Sequence, residues 1–349
     1  MISKDGLSAT IATELEALLA VPSPTGLCDA VSAHVEMRLQ GLGLVVRRKQ
    51  DGAVWCVIEG TDREAVAIGF VAHLDTLGAQ VKRLKDNGRV ELIAVGTWAA
   101  RFAEGARARL HSDTRQFTGT ILPLKASGHT FNTEVDTQPV DWTNVEMRID
   151  EDVTSAADLK GLGIDVGDMV SIDPQMEFLD NNYIVSRHLD DKAGAAAMLA
   201  AAAILVEPDN KPARDVHLIF TVSEETGSGA STIVDASVGD LIAVDIGTTA
   251  PGQASREHGV TIGMGDQSGP FNHALTRELI ATCKANGIEH QRDVFRHYKS
   301  DLVSARQAGV DARMALIAFG VDSSHGYERI HGDALECVAR LITDYSRGL

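Results

Sequence analysis

Cysteine is sparse in this chain. Four residues (Cys28, Cys56, Cys283, Cys337) are scattered over 349 positions with no CxxC pair. That excludes a disulfide-dense secreted scaffold and suits free thiols in a reducing compartment. Positive charge is also in deficit: 32 Lys and Arg stand against 49 Asp and Glu, a formal charge of −17. Nucleic acid and anionic membrane surfaces need stripes of Lys and Arg, so neither is an expected partner. Long hydrophobic runs are missing as well. The longest, residues 193–206, is too short to span a bilayer. The first 26 residues lack the apolar core of a signal peptide and read instead as an amphipathic helix. There is no low-complexity segment and no internal repeat. The expectation is a cytoplasmic globular protein of one large or two ordinary domains.

What is present is an alternation of buried strands and helices. Four apolar runs of strand length stand out: AVAIGFVA (65–72), VHLIFTV (216–222), LIAV (241–244) and MALIAFG (314–320). None alternates with polar residues, which is the signature of strands covered on both faces, as in a parallel sheet. Helix-like stretches lie between them: LCDAVSAHVEMRLQGLG, the alanine-rich 193–206, HALTRELIATCKANG and SDLVSARQAG. The last two stop at glycine. The segment 77–177 differs. Short alternating stretches separated by turn signals such as KDNG (85–88) and DVGD (165–168) predict a β-rich, barrel-like insert. One continuous mixed sheet is the alternative. The predicted fold is therefore an α/β mixed sheet flanked by helices, with residues 1–76 and 178–349 as the main α/β domain and 77–177 inserted.

The residues that follow each apolar run carry the chemistry. AVAIGFVA leads into His73-Leu74-Asp75, VHLIFTV into Ser223-Glu224-Glu225, LIAV into Asp245, MALIAFG into a loop holding His325, and YIVSRHL into Asp190-Asp191. In open α/β sheets ligands bind beyond the carboxyl ends of the strands. Singly, each feature has an ordinary explanation: a surface His/Asp pair, a solvated turn, or, for Asp190 and Asp191, an N-cap and first-turn acid favoured by the helix dipole. Gathered at one edge, these acids would repel one another unless cations compensate them. Histidine with carboxylates suits zinc, cobalt or manganese, and a two-ion site needs one bridging carboxylate. Asp190 is placed to bridge. If the strand extends through Glu224 and Glu225, their side chains diverge, so one can bind an ion while the other stays free as a base. Asp75, two residues beyond His73 on the same strand face, is placed to accept the second imidazole N–H or to hold a nearby polar group.

Read together, HLDTLG, LDDKAG, SEETGSG, AVDIG and SSHG resemble the motif series of the dinuclear metallo-aminopeptidases typified by glutamyl aminopeptidase and the tetrahedral aminopeptidases. LLAVPSPTG, GTWAARFAEGARARL and GLGIDVGDMVSI extend the resemblance over nearly the whole chain. It implies a zinc-peptidase-like fold and two divalent ions per subunit, most often Zn2+, with Co2+ or Mn2+ as alternatives. His73, Asp190 and Asp245 would hold one ion; Asp190, Glu225 and His325 the other. Glu224 would be the general base, with Asp75 completing the catalytic set. It further implies short peptide substrates, a cis peptide after Asp190, and a dimer-based homo-oligomer up to a dodecamer. Two positions depart from the family pattern: Thr76 stands where an acid is usual, and HGYER displaces Glu328 by one. The nearest competing pattern is the aminoacylase and carboxypeptidase-like family. It keeps its first interval short, whereas here 117 residues separate His73 from Asp190 and 80 separate Asp245 from His325. A small-amide or modified-dipeptide hydrolase, and a non-catalytic metal-binding protein on the same fold, are the other readings.

Overall fold

The four uninterrupted apolar runs fold as strands shielded from water on both faces. In the computed structural model, which describes residues 4–349, they become Ala67–His73, Val216–Thr221, Val238–Thr248 and Arg313–Val321. The four are parallel neighbours in the spatial order 216–221, 67–73, 238–248, 313–321, and nearly every residue in them is buried. Antiparallel strands extend the sheet: Val54–Ile58 and Val46–Arg48 on one side, Val260–Asp266 and Gly269–Pro270 on the other. His290–Val294 pairs in parallel with Val260–Asp266. Neither 260–266 nor 290–294 is legible as an apolar run. Glycines interrupt the first and polar residues fill the second, so pairing rather than composition makes them strands.

Helices flank the sheet. Lys4–Leu19, Asp29–Gly41, Leu189–Leu205, His273–Ala285 and Asp301–Gln307 form where periodicity and glycine stops predict them; residues 1–3 of the N-terminal stretch lie outside the described residues. Leu189–Leu205 touches the strands 67–73 and 238–248 and packs against Lys4–Leu19 and Gly332–Arg347. Its residues 189–202 are all buried, as a helix that is apolar around its circumference requires.

The insert closes on itself. Gly78–Leu84, Arg89–Val95, Val145–Ile149, Gln116–Pro123, Arg107–His111 and Met169–Ile172 form, in that order, a six-stranded barrel. It has its own apolar core, which includes Val90, Leu110, Ile121, Met147 and Val170. One continuous sheet is thereby ruled out. The KDNG turn joins the first two barrel strands: Gly88, at φ 74°, donates its N–H to the Lys85 carbonyl, a backbone geometry that glycine adopts without strain.

One sequence expectation needs correcting. YIVSRHL does not end on the main sheet. Tyr183–Ser186 belongs to a separate three-stranded sheet, between Glu177–Phe178 and Glu328–His331. Its partner 328–331 begins three residues after His325, so this small sheet ties the Asp190 segment to the His325 loop.

Candidate active site and metal centre

The carboxyl ends of the four parallel strands and the first turn of Leu189–Leu205 converge. His73 is the last residue of its strand, and Asp245 lies inside Val238–Thr248. Glu224 and Glu225 occupy a turn beyond Thr221, and His325 sits in the loop after Val321 with φ 64°. Asp190 opens the helix, joined to Asp191 by a cis peptide bond. His73 Nε2 is 3.1 Å from Asp190 Oδ1, and His325 Nε2 is 3.4 Å from Asp190 Oδ2. Asp190 thus stands between the two imidazoles. Glu225 Oε2 is 4.0 Å from His325 Nε2, and Glu224 Oε2 is 4.0 Å from His73 Nε2. Ligand atoms of His73, Asp190 and Asp245 all lie within 4.8 Å of one another.

Two local expectations differ from the structure. The strand does not run through Glu224 and Glu225: it ends at Thr221, and the turn, not β alternation, sends one toward His73 and the other toward His325. Nor is Asp75 on the His73 strand, which stops at His73. The closest partner of His73 Nδ1 is the Asp75 backbone carbonyl at 2.9 Å, while the carboxylate is 3.6 Å away. That carboxylate serves the turn instead. It accepts the backbone N–H of Glu224 at 3.1 Å, that of Glu225 at 3.3 Å, and the Thr25 hydroxyl at 2.6 Å.

Two further carboxylates act similarly. Asp191 Oδ2 accepts the His73 N–H at 3.1 Å; it does not cap its own helix. Glu328 accepts the Asp190 N–H at 3.2 Å and the His325 N–H at 2.9 Å. Gly194 of the LDDKAG motif makes room for Asp191, since a Cβ there would meet Asp191 Oδ1 at 2.2 Å. Lys192 is buried and donates to the carbonyls of Leu18 and Val21, 2.9 and 2.6 Å away, anchoring the helix start to the N-terminal segment.

The electrostatics are those of acids forced together. Burial, reinforced by the charge of Asp190, pushes Glu225 up to about 8 and Asp245 up to about 7. Glu224 is raised well above the usual range, chiefly by burial. Burial opposes charge on His325, yet its hydrogen bond to Asp190 lifts it to about 10. Asp190 is pulled well below the usual carboxylate range by its hydrogen bonds to His325 and His73, against the effect of burial. Among the described residues, Glu225 Oε1 and Asp191 Oδ1 are buried with no hydrogen-bond partner. A cluster of hard oxygens and imidazoles with unpaired buried lone pairs fits divalent cations, whose charge would restore the ionised forms.

Sequence reasoning passed over two residues. Glu328 was visible only as a displaced acid. Tyr298 gave no signal at all: it sits in the loop between His290–Val294 and Asp301–Gln307, its ring meets Phe295 edge-on at 5.3 Å, and its buried hydroxyl faces the Asp245 carboxylate. It lines a cavity of about 630 Å³ with Thr97, Glu224, Glu225, Asp245 and His325.

Known proteins share this fold. A profile of the M42 glutamyl aminopeptidase family matches residues 52–341. A Bacillus subtilis (strain 168) protein designated an aminopeptidase, YhfE, is 32% identical over 332 residues, covering 95% of each chain. Among solved structures, an aminopeptidase from the archaeon Desulfurococcus kamchatkensis superposes with a TM-score of 0.87 at 21% identity, covering 98% of this chain and 96% of that one. The Pyrococcus horikoshii TET1 peptidase, described as assembling into a tetrahedron or a large octahedral shell, gives 0.85 at 21% identity over 97% and 100%. With the family profile and the Bacillus relative both spanning most of its length, the chain belongs to the M42 glutamyl aminopeptidase family.

Proposed function

We propose that this chain is a metal-dependent aminopeptidase that removes N-terminal residues from short peptides. The observation that carries the reading is the placement of Asp190 between two imidazoles, with Glu224 beside one of them and Glu225 beside the other. His73, Asp190 and Asp245 would hold one divalent ion, and Asp190, Glu225 and His325 a second. Zn2+ is the first choice, with Co2+ or Mn2+ as alternatives. When bound, the ions would supply Lewis acidity toward a scissile carbonyl and lower the pKa of a nearby water.

The chain's own residues do the rest. Glu224 has no ion to hold in this scheme. It is the general base that takes the proton of the attacking water and later delivers it to the leaving amine. Burial raises its pKa, which moves a carboxyl toward neutral pH, where such a proton carrier works best. Asp75 keeps Glu224 and Glu225 in register by accepting both backbone amides. His73 is held by its Nδ1 contact with the Asp75 carbonyl, which leaves Nε2 facing Asp190. We assign residues 1–76 and 178–349 to the catalytic unit, and 77–177 to an insert used in assembly and substrate access. A homo-oligomer is supported by the shell-forming TET1 peptidase, and a cytoplasmic location by the four buried free thiols. Among the described residues no helix is long and apolar enough to cross a membrane.

The test is a panel of aminoacyl anilides and short peptides assayed with added zinc, cobalt or manganese, alongside metal analysis of the same sample. Turnover from the free N-terminus supports the reading. Cleavage of N-acylated or C-terminal substrates alone would replace it with an aminoacylase-like or carboxypeptidase-like activity.

A further inference from the structure

Three buried carboxylates that hold no ion in the scheme above take up the backbone amides of ion-holding residues and of the base Glu224. Asp191, fully buried, receives the N–H of His73; Glu328, 1% exposed, receives those of Asp190 and His325; Asp75, also fully buried, receives those of Glu224 and Glu225. Each of these segments follows a different element: the strand 67–73, the small sheet, the strand 216–221 and the strand 313–321. His73 still pairs with Thr221 in the main-sheet ladder, but Glu224, Glu225 and His325 lie beyond the last main-sheet residues of their strands and depend on side chains for their placement.

We propose that Asp191 and Glu328 are positioning residues that tune the two ion sites unequally: Asp191 chiefly the ion held by His73 and Asp245, Glu328 chiefly the ion held by His325 and Glu225. This rests on the two-ion reading. The physical reason is that a ligand on a loop is only as well placed as its backbone. An ionised carboxylate accepting N–H groups in a dry environment makes stronger bonds than a neutral acceptor. His325 depends on such support more than the others. It sits at φ 64°, a left-handed conformation that a non-glycine residue keeps only when its surroundings impose it. Glu328 supplies that constraint, and by also holding the Asp190 amide it links the His325 loop to the bridging residue. Asp191 does the corresponding work on the other side. Gly194 is part of the same device, because any side chain there would displace the Asp191 carboxylate.

The isosteric changes Asp191→Asn and Glu328→Gln keep the volume but exchange one acceptor oxygen for an NH2 donor. Changes to groups that orient ion-binding residues typically weaken affinity about 10- to 100-fold. The experiment titrates metal-stripped protein with Co2+, followed by calorimetry and by the d–d absorption bands, which report coordination geometry. Wild type should take up two ions. Glu328→Gln, which loosens His325 and to a lesser degree the shared Asp190, should weaken one step about 10- to 100-fold and the other step clearly less. Asp191→Asn should weaken the complementary step. Asp75→Asn, which loosens Glu225, should group with Glu328→Gln and provides a second handle on that side should Glu328→Gln not fold. Unchanged affinities and spectra would overturn the assignment, and so would an equal loss of both ions in every variant. A wild type that binds no divalent ion would instead overturn the two-ion reading itself.

Discussion

Asp75→Asn separates two roles for a residue that, from sequence alone, is placed either to polarise His73 or to hold a neighbour. Asp75 Oδ1 accepts the Glu224 N–H at 3.1 Å, and Oδ2 accepts the Glu225 N–H at 3.3 Å together with the Thr25 hydroxyl at 2.6 Å. An asparagine keeps one acceptor. Thr25 adapts, because a hydroxyl can turn to accept from the new NH2. The Glu225 N–H cannot, and it is left facing a donor. Losing one hydrogen bond to a charged acceptor costs about 1.5–3 kcal/mol. If that cost falls on the placement of Glu224 and Glu225, it lowers kcat/KM roughly 10- to 150-fold. The His73 tautomer should not change, since Nδ1 is 2.9 Å from the Asp75 backbone carbonyl and 3.6 Å from its carboxylate. Steady-state kinetics on an aminoacyl anilide, with Thr25→Val as a companion that removes only the hydroxyl, reads this directly. A loss near 10⁴-fold, the scale seen when a catalytic histidine is left in the wrong tautomer, would refute the reasoning in favour of direct polarisation. Wild-type kinetics would refute it outright.

Other consequences are equally direct. Glu224→Gln should retain both ions by elemental analysis while kcat falls about 10²- to 10⁴-fold; wild-type turnover would remove Glu224 as the base. Asp190→Ala should lose both ions, since it deletes the group 3.1 Å from His73 and 3.4 Å from His325; a fully loaded variant would contradict its bridging place. Metal-stripped protein should lose thermal stability as pH rises from about 5 to 7.5. Asp245, Glu225 and Glu328 are raised to about 7, 8 and 8, each first by burial and then by Asp190. The folded chain therefore binds more protons than the unfolded one between the ordinary carboxylate range and these values, and stability declines across that window. Differential scanning fluorimetry across the window should show the decline, with restoration on adding zinc; a stripped protein whose melting point rises over that range would be inconsistent with the crowded-acid site.

How much of this was written in the chain can be argued from individual residues. The four buried strands were legible because a strand covered on both faces has no polar alternation, and that pattern is local. The ion-binding candidates were legible because each follows such a run, or sits where a polar pair interrupts an apolar stretch. The barrel was legible as a change of period to short alternating stretches between turns, although alternation alone left one continuous mixed sheet open as the alternative that the closed barrel excludes. The strands 260–266 and 290–294 were hidden, because they owe their conformation to a buried neighbour and not to their own composition.

The sequence by itself determined which residue types reach the end of each strand and in what order, and this sufficed for fold class and for His73, Asp190, Glu224, Glu225, Asp245 and His325 as a group. Only the tertiary structure decided what holds them. Asp75, Asp191 and Glu328 act through backbone amides, and an amide hydrogen bond leaves no trace in the identity of the residue that donates it. Tyr298 likewise gains meaning only from the loop that carries it to Asp245. Donor identity is chemical and local, whereas acceptor placement is geometric and spans up to 150 residues of chain.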